Sequence, residues 1–463
     1  MLVSQVLALL GLTSTPASSQ PEEIITRDVA ILGGGGTGSY AAVQLIDRGY
    51  SVAVVEQKHR LGGHADTLYL PNGDLIDYGI RAYFNESVVR DFFNKLHVEY
   101  ESYWPSANNT DRVDFRTGAR VPVSGDPVDP IPAILRYRAA IEQFNYLSTG
   151  GYFLPDPVPE ALLRPFREFV EANDLQDALT VIWTFSEPLG DILEAPLLFV
   201  IQMFGISHMH GLLQGPYIRP RNGSAAIFKE AARYIGEDNI FYESTAIRTT
   251  RDSTGVEVVV ENSDGRKRIR ARKLLISFPP ILPKLRGFDL NEKELSLFRK
   301  WKYTAYYGVI INNCGIPDGF NIVNTDPKLP GGLPAVPFAS IVDFGEVSGY
   351  YRTRVIGTES FTGRDAKQLV LDDLRRMGAE QTFPINEDLE IVALESHWPT
   401  ALTVPPDEAR SGFYQKLYAL QGRRSTYYTG YAFCTDYSPQ LWNYTLNIVD
   451  MMVGDMRGSL ESK

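Results

Sequence analysis

From Val29 to Leu32 the chain is apolar at every position, with no polar alternation, which predicts a strand buried on both faces. From Ser39 to Asp47 the apolar residues Ala42, Leu45 and Ile46 return at helical spacing, and Gly49 follows as a stop signal. Ser51 to Val55 is apolar again and predicts a second strand, parallel to the first. Further on, "LYLPNGDLIDYGIRAYF" reads as a hairpin turning at Asn72-Gly73. Between about residues 87 and 215 apolar positions recur every three or four residues, as in "PEALLRPFREFVEANDLQDALTVIWTF", and predict a helical region. Strands return where Val256, Val258 and Val260 alternate, with a turn at Asp264-Gly265 and a buried strand over Lys273–Ser277. Residues 301–395 mix strands and helices. The tail predicts a strand, a glycine turn and a closing helix that starts near Trp442 to Thr445.

Four consecutive glycines lie between the first strand and the first helix, and Glu56 ends the second strand. Gly33, Gly35 and Gly38 carry the G-x-G-x-x-G spacing. The first permits a tight turn, the second close approach of a pyrophosphate, the third close packing of helix on strand. The helix N-terminus then offers free N–H groups and the positive end of its dipole to the anion. Glu56 is placed to accept hydrogen bonds from an adenosine ribose, and its charge argues against the 2′-phosphate of NADP.

At 463 residues the chain exceeds a single ordinary core and predicts two or three domains. Its 45 Lys plus Arg against 56 Asp plus Glu give a net charge of −11, which argues against a nucleic-acid partner. The 25 Tyr and 23 Phe suit a chain that encloses a flat organic ligand, and equally a tyrosine-rich core. The first 20 residues, with a short apolar block at Val6–Leu12 and small residues to Gln20, resemble a signal peptide that lacks a basic n-region; an N-terminal extension is the other reading. The first reading implies the secretory pathway. No later segment is long enough to span a membrane; Ala195–Ile206 is short and broken by Gln202. Cys314 and Cys434 allow one bridge or two free thiols. Of four glycosylation sequons, Asn85 and Asn108 are the better candidates, since Asn222 and Asn443 fall in segments assigned to a cofactor. The pair His208 and His210 has i, i+2 spacing and no nearby acid, so no metal site is expected.

In order and spacing, "VAILGGGGTG", "VVEQKHRLGGHADT" and "IDYGIRA" resemble the flavin-containing amine oxidase superfamily. That pattern is strand, G-x-G-x-x-G, acid, then R-x-GG-R-x-x-T, then D-x-G. Arg60, Gly62, Gly63 and Thr67 match the second box, and His64 stands where arginine is usual. "STAIRTT" resembles the strand whose apolar residue, here Ile247, flanks the adenine. "YYTGYAFCTDYSPQLWNYTL" resembles the C-terminal box and the helix under the flavin. The resemblance implies an α/β fold: a Rossmann-type FAD-binding domain (25–86, 220–300 and 396–463) with an inserted α+β substrate domain (87–219 and 301–395). It further implies FAD contacts from Gly33, Gly35, Gly38, Glu56, Arg60, Gly62, Gly63, His64, Ile80, Ile247, Gly430, Tyr431, Trp442 and Thr445.

The departures narrow the expected chemistry. Gly430-Tyr431 replaces the usual Gly-Glu, and the cysteine that attaches flavin covalently has no counterpart, so non-covalent FAD is expected. His64 keeps a covalent histidyl link open as the alternative to a plain hydrogen bond. "KYTAYYGVIINN" puts Tyr306 or Tyr307 where amine oxidases often carry lysine. Tyr306, Tyr307 and Trp398 are candidate walls of the substrate site, with a tyrosine as proton acceptor or as packing. Arg81 is either a residue over the flavin or a surface arginine. The expected function is FAD-dependent oxidation of a bulky, nitrogen-containing small molecule, with ring closure. A simple amine or amino-acid oxidase and a non-catalytic FAD-binding protein are the alternatives.

Overall fold

The computed structural model describes residues 23–104, 109–122, 129–213 and 215–461. The expected leader, residues 1–20, and the sequon at Asn108 lie outside the described residues.

The apolar runs of the dinucleotide segment meet in one sheet. Its strands lie in the spatial order Ile240–Phe241, Val52–Val55, Glu23–Leu32, Gly265–Ile276, Val256–Asn262 and Thr245–Arg251. Glu23–Leu32 is parallel to both of its neighbours, as its continuously buried half Val29–Leu32 requires. Gly265–Ile276 is shared along its outer edge. Its first half pairs antiparallel with Val256–Asn262, and Leu274–Ile276 pairs parallel with Thr426–Tyr428. Three helices, Gly36–Asp47, Ser224–Ile235 and Ser438–Glu461, pack on this sheet and on one another, with Tyr40 stacked on Trp442 at 5.5 Å.

A second sheet runs Glu390–Ser396, Lys302–Asn312, Tyr350–Gly357, Phe338–Phe344, Phe320–Asn324 and Asn109–Val113, with Thr400–Thr403 paired to the start of Lys302–Asn312. Val309, Ile311 and Val355 of this sheet share a core with Ala366, Val370 and Leu374 of the helix Gly363–Ala379. The segment between residues 131 and 213 is largely helical, as the periodicity predicted, and its buried residues share one core with the first sheet.

Two short strands inside the expected helical region differ from that prediction. Tyr100–Tyr103 pairs with Tyr217–Pro220, and Asn109–Val113 joins the second sheet beside Phe320–Asn324. Both are polar and brief, so neither carries a period. Thr400–Thr403 lies beyond residue 395 yet belongs to the second sheet. The closing helix begins at Ser438, four residues earlier than expected, because Pro439 is well suited to a first helical turn. Cys314 and Cys434 are buried free thiols in different cores. Asn85, Asn222 and Asn443 are all exposed. Among the described residues no helix is long and apolar enough to cross a membrane.

Candidate active site

The glycine turn opens on a cavity of about 940 Å³, near the upper end of ordinary ligand pockets. Gly33 turns the chain at φ +100°, and a Cβ there would meet the Ser277 hydroxyl at 2.7 Å. A Cβ on Gly38 would fall 1.9 Å from the Gly33 carbonyl oxygen, so the third glycine is what lets the helix lie against the turn. Gly35 bridges to Gly62, whose own Cβ would strike the Phe228 ring. Two glycine loops thus form one bare backbone wall. The helix Gly36–Asp47 starts at this wall with no side-chain cap and no acid in its first turn, so its N–H groups are open to an anion.

Glu56 closes the far side of the turn. Its Oε2 accepts from the Gly34 N–H at 2.7 Å and its Oε1 from the Lys58 N–H at 2.8 Å. The carboxylate is buried, lines the cavity and keeps lone pairs free for further donors. Lys284 stands in the same wall, 5.7 Å over the Trp398 ring. Burial lowers its amine to about 8, against the raising influence of Glu56.

The second and third boxes organise the turn. Arg60 pairs with Asp66 and donates to the Leu61 and Ala65 carbonyls; it does not line the cavity, and its place is to brace the loop. The Thr67 hydroxyl donates to Asp77, whose Oδ1 also accepts from the Ser224 N–H at 3.0 Å. Asp77 thereby caps the helix Ser224–Ile235 and ties the distant segment to the first. Burial outweighs these donors and raises its carboxyl to about 6.

Gly33, Gly35, Glu56, Gly62, Gly63, His64, Ile80, Ile247, Gly430, Tyr431, Trp442 and Trp398 all line this cavity. Gly38 lies behind the turn. Thr445 also lies behind the wall: its hydroxyl bonds Thr429 at 2.7 Å and the Leu441 carbonyl. Trp442 donates from Nε1 to the Gly36 carbonyl, and the first turn of its helix, with Ser438 and Leu441, faces the cavity.

The expected catalytic group is divided. Arg81 pairs with Asp343, which also holds Arg352 at 2.9 Å, and it does not line the cavity. Tyr307 points to the other side of its strand and donates to the Phe361 carbonyl at 2.7 Å, so it is a packing residue of the second core. Tyr306 does not reach the cavity wall either. Its ring stacks on His397 at 5.2 Å, and His397 stacks on His64 at 4.0 Å. His397 is fixed by Asp66 at 2.9 Å. Burial, with His397 as a lesser cause, holds His64 well below the usual imidazole range. Of the pair once weighed for a metal, His208 is buried, with its Nδ1 taking the Gly205 N–H at 3.3 Å.

Lys284 and Asp436 are cavity residues that sequence reasoning missed. Lys284 follows the expected strand Lys273–Ser277 by seven residues, and Asp436 precedes the closing helix by two. Only the position relative to those elements could have marked them.

A model of the NAD(P)-binding Rossmann-like domain matches residues 31–96. Over 431 residues, 93% of this chain and 94% of the relative, the sequence is 39% identical to beta-cyclopiazonate dehydrogenase of Aspergillus oryzae. The chain belongs to that dehydrogenase's family. A second member, FAD-dependent oxidoreductase oblC of Cochliobolus heterostrophus, is 32% identical over 92% of this chain and 90% of its own. Among solved structures, a fatty acid isomerase from P. acnes aligns with a TM-score of 0.72 at 18% identity, covering 92% of this chain and 98% of that one. Cyclohexylamine oxidase from Brevibacterium oxydans aligns at 0.63 and 19%, covering 93% and 99%. These two share the fold, and the relatives carry the family: a Rossmann-type flavoprotein oxidoreductase with an amine-oxidase-like plan.

The cavity fits FAD on its own features. The glycine walls leave room that a Cβ on Gly33, Gly38 or Gly62 would take away, an uncapped helix start faces them, and the Glu56 carboxylate lines the cavity beside the turn.

Proposed function

We propose that this protein binds FAD non-covalently and oxidises a bulky, nitrogen-containing small molecule by two electrons, with ring closure or desaturation rather than hydrolysis. The observation that carries the reading is the juxtaposition of the glycine walls and Glu56 with the aromatic cavity wall, in a chain 39% identical to beta-cyclopiazonate dehydrogenase over nearly its whole length.

FAD, when bound, supplies the two-electron acceptor. The protein supplies the rest. Gly33, Gly35 and the start of Gly36–Asp47 take the pyrophosphate, and Glu56 takes the ribose. The start of Ser438–Glu461 presents its positive end to the cavity and favours negative charge there. Trp398, Tyr431, Ile80, Phe278 and Phe288 make much of the remaining wall apolar and aromatic. Such a wall keeps water from a substrate carbon that has lost hydride, so a nucleophile within the same molecule captures it first.

The test is product analysis by mass spectrometry with beta-cyclopiazonate and a panel of indole alkaloids in oxygen-18 water. The reading expects a product two hydrogens lighter and free of label. A labelled carbonyl with released amine would favour the plain amine oxidase instead.

A further inference from the structure

Two-electron oxidation of an N–H or O–H bearing carbon removes a hydride and a proton, and the proton needs an acceptor beside the cofactor. The tyrosines that the sequence offered do not line the cavity. Asp436 does. It lies in the turn between Gly430 and the helix Ser438–Glu461, on the same wall as Tyr431, Leu441 and Trp442. Its carboxylate has no hydrogen bond or ion pair to any side chain among the described residues and is open on the cavity side. The ionisable groups that face it are the Tyr431 phenol, the Cys434 thiol and the Tyr152 phenol; all are neutral at physiological pH, and among the described residues no cationic side chain offsets its charge.

We propose that Asp436 is the catalytic base of the oxidation, taking the substrate's N–H or O–H proton as hydride leaves the adjacent carbon. The proposal rests on the FAD reading above. In the step, the substrate C–H bond breaks and its electron pair leaves as hydride, for which bound FAD would be the two-electron acceptor. The N–H or O–H bond breaks toward an Asp436 carboxylate oxygen, and its electron pair forms the new bond in the oxidised substrate. Asp436 then returns its proton to water. Desolvation raises the carboxyl to about 6, although its surface is exposed toward the open cavity, and this leaves it ionised at neutral pH and basic enough to accept a proton. Glu56, another carboxylate of the cavity, is held by the Gly34 and Lys58 backbone N–H groups at the glycine turn and is not available for this step.

Three measurements on the FAD-loaded wild type and the Asp436→Asn variant test this. The first is flavin content by absorbance, expected to be equal in both. The second is a carbon-13 NMR titration of aspartate-labelled protein, expected to show a carboxyl titrating near 6 that the variant lacks. The third is the pH profile of kcat/KM with beta-cyclopiazonate. The wild type should rise through pH 6, and the variant should lose that limb and fall by roughly 10²–10⁴-fold at neutral pH. A variant with normal flavin content that keeps both rate and limb overturns the proposal and leaves the FAD reading standing, as does a signal that titrates in the ordinary carboxylate range. A variant that loses flavin but turns over normally once reloaded makes Asp436 a cofactor-holding residue and also overturns it. A wild type without flavin overturns the FAD reading itself, and the proposal with it.

Discussion

The imidazoles of His64 and His397 lie 4.0 Å apart and within 12° of parallel, and His397, the more buried of the two, is held by Asp66. Burial, with His397 as a lesser cause, holds the His64 imidazole well below its usual range and so keeps it uncharged at neutral pH. The position where the resembling sequences have arginine is therefore an uncharged ring in the cavity wall here, stacked face-on against His397. Flavin is expected to leave the protein on acid precipitation and colour the supernatant. Flavin retained on the denatured chain would mark His64 or another residue as an attachment site.

Glu56 does two jobs, anchoring the Gly34 and Lys58 N–H groups and facing the cavity. Glu56→Ala should weaken FAD binding by about ten- to a hundredfold, the effect of losing a charge-assisted hydrogen bond worth about 1.5–3 kcal/mol. Titration of the apo-protein with FAD checks this, and an unchanged Kd would remove the ribose assignment.

Tyr307→Phe should leave kcat and KM in place and cost about 0.5–1.5 kcal/mol of stability, because its hydroxyl satisfies the half-buried Phe361 carbonyl. Denaturant unfolding of the two proteins separates this from a catalytic role, which would instead lower kcat at unchanged stability.

The sequence made much of the cofactor wall legible because its residues are consecutive in short boxes: glycine spacing, a terminal acid and a strand-helix-strand pattern lie within Val29–Glu56. Tyr306 and Tyr307 show where legibility ends. Adjacent residues on a strand face opposite sides, and nothing local says which side meets the cavity or what ring will cover it. His397 covers Tyr306 from 91 positions away in the chain, counted as 397 minus 306. Arg81 was ambiguous for the same reason, since its partner Asp343 sits on a different sheet strand. Asn109–Val113 was missed because its pairing with Phe320–Asn324, not its composition, makes it a strand.

His208 gives the protein an acid-sensitive element. Burial lowers its imidazole to about 3 in the folded state, against the ordinary value of 6.5 when unfolded. A lowered histidine means the unfolded chain binds the proton first, so its contribution to stability is lost as pH falls below 6.5. The slope from this one group approaches about 1.4 kcal/mol per pH unit between roughly 6 and 3. His208→Asn should flatten the fall of Tm with acidification over that window, measured by calorimetry from pH 7 to 4. An unchanged pH dependence would mean that His208 is already protonated in the folded protein.

The central claim is that the cavity beneath the two glycine loops holds an FAD that a bulky substrate reduces. Anaerobic mixing of the purified yellow protein with beta-cyclopiazonate, followed at the flavin absorption band, tests it in one measurement. The account predicts bleaching in step with formation of a product two hydrogens lighter. A protein that purifies without flavin, or a bound flavin that stays oxidised while simple amines bleach it, would contradict the account.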